Sequence, residues 1–479
     1  MSYFGKKGYS ILKSDLSLKE QLFIRNSLTV KPFLPKSPVQ PEPFCVYRES
    51  PKKFYLPRYF GVENFGEFVE NKVEKGENID LEFHGELRDY QKNIVDKYLK
   101  EVNESGGGLL DVDPGKGKTV MALYILTKLK KKTIVIVHKS FLLNQWIERI
   151  QQFIPNARVG KIQGQIIDID NKDIVIGMLQ SLSQKEYPEN MFNCFGLSIY
   201  DETHHLGAEV FSKCMLKCIT NYTLGLSGTM QRKDGLTKVF KMFLGDVIHK
   251  EKTNTLEHNV IVKAIEYKVD DEEFNEIKYD YRGNPLYSTM ISKLCNYNHR
   301  SEFILKVIKN ELEKNNNQQI MVLAHNKSLI TYLYKGIEHR NIASVGYYIG
   351  GMKEPDLKLS ESKKIIIATY AMASEGLDIK SLTTLIMASP KTDVCQSVGR
   401  ILRTKHSSPL VIDIVDHHEI FQSQWSKRKQ YYMKQKYNIY SIEHNNYLTD
   451  NWKTEYDPKK PPEKIKKPTK GKCLINLQI

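Results

Sequence analysis

The chain has 479 residues, 41% apolar and 27% charged, which excludes a disordered chain and leaves room for two to four domains of about 100–200 residues. Apolar runs are short, such as the five residues Thr133–Val137, and none nears the ~18 needed to cross a bilayer; the start, Met1–Lys7, lacks the apolar stretch of a secretory signal. Seven cysteines, an odd and scattered set, exclude a disulfide framework and suit a reducing compartment, while a formal net charge of +15 suits a polyanionic partner such as nucleic acid, or simply a lysine-rich surface.

In chain order, residues 1–82 form an accessory region. Prolines cluster from Pro32 to Pro57 and periodicity is weak, so a small irregular domain or an extended arm is expected. Residues 83–252 read as a first α/β domain. Leu109–Val112, Thr133–Val137, Asp173–Gly177, Leu197–Tyr200 and Tyr222–Leu226 are predicted strands, and Thr119–Lys130, Leu142–Phe153 and Val210–Ile219 are predicted helices. Residues 253–298 are polar and mixed, a connector. Residues 299–445 resume the alternation, with strands expected at Ile320–Ala324, Ser344–Ile349, Lys364–Thr369, Leu382–Ala388 and Leu410–Val415. Buried apolar strands alternating with helices imply two parallel sheets, each covered on both faces. From 446 onward the chain is a basic tail: residues 451–479 hold eight lysines against three acids, a composition expected to stay disordered.

Between a strand and a helix stands Asp113-Pro114-Gly115-Lys116-Gly117-Lys118-Thr119. Gly115 and Gly117 allow a tight turn that aims successive N–H groups at phosphate oxygens, and the next helix adds its positive dipole end. Lys118 suits the β- and γ-phosphates and Thr119 suits Mg²⁺. Val112 stands where the strict phosphate-loop pattern has Gly or Ala. Asp201-Glu202-Thr203-His204 follows the strand Leu197–Tyr200. Chemistry in parallel sheets gathers beyond strand carboxyl ends, where an Asp can hold Mg²⁺ and a Glu can polarise the attacking water.

The two motifs together resemble a superfamily 2 helicase of the DExH type, and further motifs follow in order from Leu87 to Arg403. Leu87-Arg88-Asp89-Tyr90-Gln91 resembles the adenine-reading element, with Gln91 the base contact and Arg88 nearby. Ser227-Gly228-Thr229 resembles the coupling motif, in which Ser227 and Thr229 link His204 to movement of the second domain. Gln396-Ser397-Val398-Gly399-Arg400-Ile401-Leu402-Arg403 matches the family's Gln-x-x-Gly-Arg-x-x-Arg pattern in full. The resemblance implies two tandem RecA-like domains using ATP and Mg²⁺. Pro114 and Lys116 complete the loop, Gly376, Asp378 and Gln396 are further nucleotide contacts, and Arg400 and Arg403 neutralise charge developing on the γ-phosphate. Planar, permanently charged guanidinium groups suit that task.

Family likeness also implies nucleic-acid contacts at His138, Lys139, Ser140, Gln180 and Ser181, on a face away from ATP, and at His325 and Thr369 in the second domain. Polar or small residues of this kind suit phosphate rather than base contacts. Arg232-Lys233-Asp234 resembles the Arg-Glu-Asp element of the XPB-type helicases, with Lys233 in place of Glu, and this run with Gly350-Gly351-Met352-Lys353 points to the group containing phage UvsW and the poxvirus transcript-release helicase. These relatives imply a large-DNA-virus origin, DNA rather than RNA as substrate, 3′-to-5′ movement, a link to transcription machinery or repair, and a monomer in host cytoplasm, viral factory, virion or nucleus. An RNA helicase, a non-catalytic ATP-gated clamp and a motor subunit of a restriction or remodelling complex remain rivals. In His417–Tyr440, Phe421 and Trp425 are spaced for docking onto the sheet, with Lys427, Arg428, Lys429 and Lys434 left for phosphates. Cys214 and Cys218 fall on a predicted amphipathic helix as small hydrophobes rather than as zinc ligands.

Overall fold

The computed structural model describes residues 2–32, 40–113, 116–201, 208–228, 237–250, 259–374, 379, 381–401 and 409–460, and for 208, 374, 396 and 400 the backbone alone. The fold is α/β, with two units that meet in sequence at Thr253 and Asn254, each built on a mostly parallel eight-stranded sheet of the RecA-like kind.

In the first unit the strand order is Ile166–Ile167, Val159–Gln163, Ile174–Met178, Thr133–Val137, Leu197–Tyr200, Tyr222–Ser227, Gly107–Asp111, Val247–Lys250. Every pairing is parallel except that of Ile166–Ile167. Both faces are covered, so alternate residues of one strand feed different cores. Ile134 and Ile136 join Phe211 and Phe240 on one side, while Val135 and Val137 join Trp146 and Ile150 on the other. Because the strands are parallel, their carboxyl ends form a single edge, where the loops carrying chemistry meet.

The described residues of the accessory region, 2–32 and 40–82, are neither irregular nor an arm. They form a five-stranded sheet, Arg48–Glu49, Lys53–Leu56, Gly8–Leu12, Tyr3–Gly5, Glu70–Asn71, with helices Leu18–Leu28 and Arg58–Phe65. Ser17 and Glu20 close a reciprocal capping box at the first helix. Tyr9, Ile24 and Phe54 are continuous with the core under Leu109 and Ile134. Anchors to the parallel sheet come at its amino-terminal edge: Arg58 Nη1 donates to Asn221 O at 2.8 Å, and Tyr59 Oη donates to Ser105 O at 3.2 Å. The prolines had hidden the short strands here, because several of them flank the strands closely: Pro43, Pro51 and Pro57 border Phe44–Cys45 and Lys53–Leu56.

The second sheet runs Val345–Tyr348, Ile365–Thr369, Gln319–Ala324, Leu382–Met387, Leu410–Asp416, Ile261–Tyr267, Asn438–Glu443, Lys453–Tyr456, parallel except at the last pairing. Two boundaries change as a result. The expected connector contains Ile261–Tyr267, a strand inside this sheet, paired on both sides. The expected disordered tail begins with an ordered edge strand, Lys453–Tyr456, held by Lys429 Nζ donating to Glu455 at 2.8 Å. Residues 461–479 lie outside the described residues.

Two buried ion pairs brace this sheet. Arg300 donates from Nε and Nη2 to both carboxylate oxygens of Asp416, at 2.6 and 2.8 Å, and from Nη1 to Ala388 O. Arg428 does the same to Asp413 at 2.7 and 2.9 Å, with Nη1 on Lys391 O. Arg428 is therefore not a cation left for phosphate; it is fully buried on the helix Glu419–Lys434, beside the buried Phe421 and Trp425. Two-point geometry and the extra carbonyl offset the desolvation of each charge.

Candidate active site

Three motif-bearing strands lie side by side in the first sheet. Gly107–Asp111 leads into the phosphate loop, Tyr222–Ser227 ends on the serine of the expected coupling motif, and Leu197–Tyr200 leads to Asp201. The first and last are two strands apart, about 10 Å at ordinary sheet spacing. Val112 N donates to Ser227 O at 2.9 Å, which ties the root of the phosphate loop to the coupling strand. Lys118, Asp201 and Ser227 are all buried at this carboxyl edge, and Thr119 is half-buried beside Lys118.

Gly117 takes a left-handed backbone, φ +80°, immediately before the helix Lys118–Leu129. That backbone favours glycine, and a Cβ there would also push Gln91 Nε2 out of its place. Gln91 is itself buried and bridges two elements: its Oε1 accepts from Arg88 N at 3.0 Å, and its Nε2 donates to Lys116 O at 2.9 Å. The Tyr90 hydroxyl donates to the same carbonyl at 2.9 Å, and the Lys116 ammonium lies 5.3 Å from the Tyr90 ring centroid. The adenine-reading element and the phosphate loop are thus one assembly. Gln91 braces the loop, a role that sequence reading did not assign to it, and Tyr90 was missed. Arg88 is exposed and enters this network through its backbone N–H.

Asp201 has a partner that the motif could not show. Trp146, on the helix Ser140–Phe153, donates from its indole Nε1 to Asp201 Oδ2 at 2.8 Å, and both residues are buried. The oxygens of Asp201 and Thr119 are hard donors of the type Mg²⁺ takes, so the residues present fit that ion.

The nucleic-acid candidates of this unit share the carboxyl edge with the phosphate loop but lie sideways from it, three and four strands along, instead of on an opposite face. Gln180 Nε2 donates to His138 O at 2.9 Å, Gln163 Nε2 donates to Ser140 Oγ at 3.2 Å, and Ser181 Oγ accepts from Gly164 N at 2.9 Å. Gln163 and Gly164 join the group unannounced by sequence. Burial pushes the Lys139 ammonium below its ordinary range.

In the second unit His325 and Thr369 end neighbouring strands. His325 Nδ1 shares a 2.8 Å hydrogen bond with Ser389 Oγ, which also accepts from His325 N at 3.0 Å. Its ring lies 4.8 Å from that of Tyr370, over which Lys391 sits. Burial and then the Lys391 charge push the His325 imidazole down to about 4, so at neutral pH it offers hydrogen bonds without charge. Pro114, Gly115, Glu202, His204, Thr229, Arg232, Gly376, Asp378 and Arg403 lie outside the described residues, as do the side chains of Gln396 and Arg400, whose backbone belongs to the helix Cys395–Ile401.

Residues 84–232 match the family model for the type III restriction enzyme, res subunit. An Acanthamoeba polyphaga mimivirus protein, provisionally named an ATP-dependent RNA helicase, is 38% identical over 477 residues, covering 96% of this chain and 90% of its own length. The chain belongs to the superfamily 2 helicases of large DNA viruses. This viral helicase is also 28% identical over 381 residues to an African swine fever virus protein (isolate Pig/Kenya/KEN-50/1950) with the same provisional name, covering 74% of each chain. It is 26% identical over 396 residues to a DNA 3′-5′ translocase, XPB2, of Sulfurisphaera tokodaii, covering 73% of this chain and 87% of that one. As a member of this family it is a nucleic-acid-dependent ATPase, and ATP is its nucleotide.

Proposed function

We propose that this helicase uses Mg²⁺-bound ATP to move along DNA, in the 3′-to-5′ direction, in viral transcription or repair within a reducing intracellular compartment. The observation carrying the catalytic part is the shared edge: phosphate loop, Asp201 and Ser227 end adjacent parallel strands. Lys118 binds the β- and γ-phosphates, Thr119 and Asp201 hold the metal, and Glu202 orients the attacking water. Bound there, the ion draws charge from the phosphate oxygens. Arg400 and Arg403 are assigned to neutralising charge on the γ-phosphate, a contribution of about 10³–10⁵ in rate for such arginines.

DNA and the direction are supported by the name of the Sulfurisphaera relative. RNA is the second reading, favoured by the names of the mimivirus and African swine fever virus relatives. The test compares ATP hydrolysis with single-stranded DNA, duplex DNA and RNA at two salt concentrations, then strand displacement with a 3′ or a 5′ overhang. Stimulation by DNA and displacement from the 3′ overhang are expected; stimulation by RNA alone would overturn the DNA assignment.

A further inference from the structure

Within the first sheet, the carboxylate that follows the strand Leu197–Tyr200 receives a hydrogen bond from a neutral donor. The Asp201 Oδ2 to Trp146 Nε1 distance is 2.8 Å, the two residues are 55 positions apart, and the indole is almost fully buried among Leu142, Leu143 and Ile150 on the face that also packs the phosphate-loop helix. Indole has one N–H, no acceptor and no titration in the working range, so its hydrogen bond fixes a carboxylate without cancelling its charge. The second sheet supplies a contrast: Asp413 and Asp416, at the middle and the end of the strand Leu410–Asp416, each receive a two-point guanidinium clamp that does cancel the charge. A carboxylate meant for a divalent cation must keep its negative charge and still be unable to swing.

We infer that Trp146 is a positioning residue for the metal-binding carboxylate, setting the orientation of Asp201 through its indole N–H. This rests on the reading of Asp201 as a Mg²⁺ ligand. Because the donor acts on the ligand and not on the nucleotide, its loss weakens metal binding selectively. Outer partners of metal ligands typically contribute about 10–100-fold in metal affinity.

The test uses the full chain and Trp146→Phe, which keeps a buried ring and removes the N–H. Nucleic-acid-stimulated hydrolysis is measured against Mg²⁺ at saturating ATP, and binding of a fluorescent ADP analogue is measured without metal. The expected result is a Mg²⁺ half-saturation raised about 10–100-fold, with rate largely recovered at high Mg²⁺ and metal-free nucleotide binding unchanged. A second readout needs no change at Trp146. With Trp425→Phe and Trp452→Phe in place, Trp146 is the sole tryptophan, and its emission is expected to change on adding Mg²⁺ with a non-hydrolysable ATP analogue. Unaltered Mg²⁺ dependence in Trp146→Phe, or emission indifferent to Mg²⁺, overturns the inference. Asp201→Asn separates the layers: if it keeps full Mg²⁺-dependent turnover, the metal reading fails and this inference with it. If it loses turnover while Trp146→Phe behaves as wild type, only the positioning role falls.

Discussion

The two sheets give the aspartates in and after their strands different side-chain donors. In the first, Asp201 meets an indole N–H and stands beside the phosphate loop; in the second, Asp413 and Asp416 are locked by Arg428 and Arg300. The same acid is thus framework in the second unit and, on the proposed reading, a metal ligand in the first. What decides is the partner. A guanidinium satisfies both oxygens and the charge, whereas a neutral donor fixes geometry and does not itself cancel the charge.

The contrast is broken most forcefully at Asp201. Asp201→Asn should lower stimulated ATP turnover by about 10²–10³-fold, the equivalent of the several kcal/mol a bound cation supplies to the transition state. Its thermal midpoint should stay near wild type, since the amide oxygen still accepts from Trp146. Arg300→Ala should do the reverse, costing about 3–5 kcal/mol in urea unfolding because Asp416 is left buried and charged. A stable Arg300→Ala with lost turnover would erase the distinction between the units.

A pH effect of intermediate size sharpens the same point for His325. The unfolded chain protonates this ring near pH 6.5, whereas in the folded chain it stays neutral down to about 4. Its contribution to stability is therefore complete above pH 6.5 and is lost as pH falls from there toward 4. Urea midpoints at pH 7 and pH 5 should differ less for His325→Gln than for wild type. The smallest effect is expected at Arg158, whose side chain is 62% exposed while it bonds the buried Asp173 at 2.6 Å. Arg158→Ala should cost no more than about 1 kcal/mol, because water screens the pair and can solvate what is left.

Much of this was legible in the sequence where one physical cause dominates. Thr133–Val137 and Leu197–Tyr200 are strands to the residue because strands buried on both faces must be continuous apolar runs. The phosphate loop was readable because its backbone geometry restricts residue type. Ile261–Tyr267 was not readable: Lys263 and Glu266 interrupt it, and Lys263 is accommodated by an ion pair with the buried Glu311 at 3.1 Å, a contact 48 residues away, and by the Trp452 ring. Asn438–Glu443 and Lys453–Tyr456 were hidden by the same mixed polarity near a sheet edge. Arg428 looked like a surface cation because nothing local shows Asp413 waiting behind it. Trp146 went unremarked, since an indole within a predicted helix carries no mark of the carboxylate its N–H will meet.

The most direct test of the ATP-driven reading is steady-state phosphate release by the full chain and by Lys118→Ala with saturating nucleic acid. The account predicts stimulated turnover in the first and none above background in the second, with both chains folded. Equal turnover in the two would contradict it.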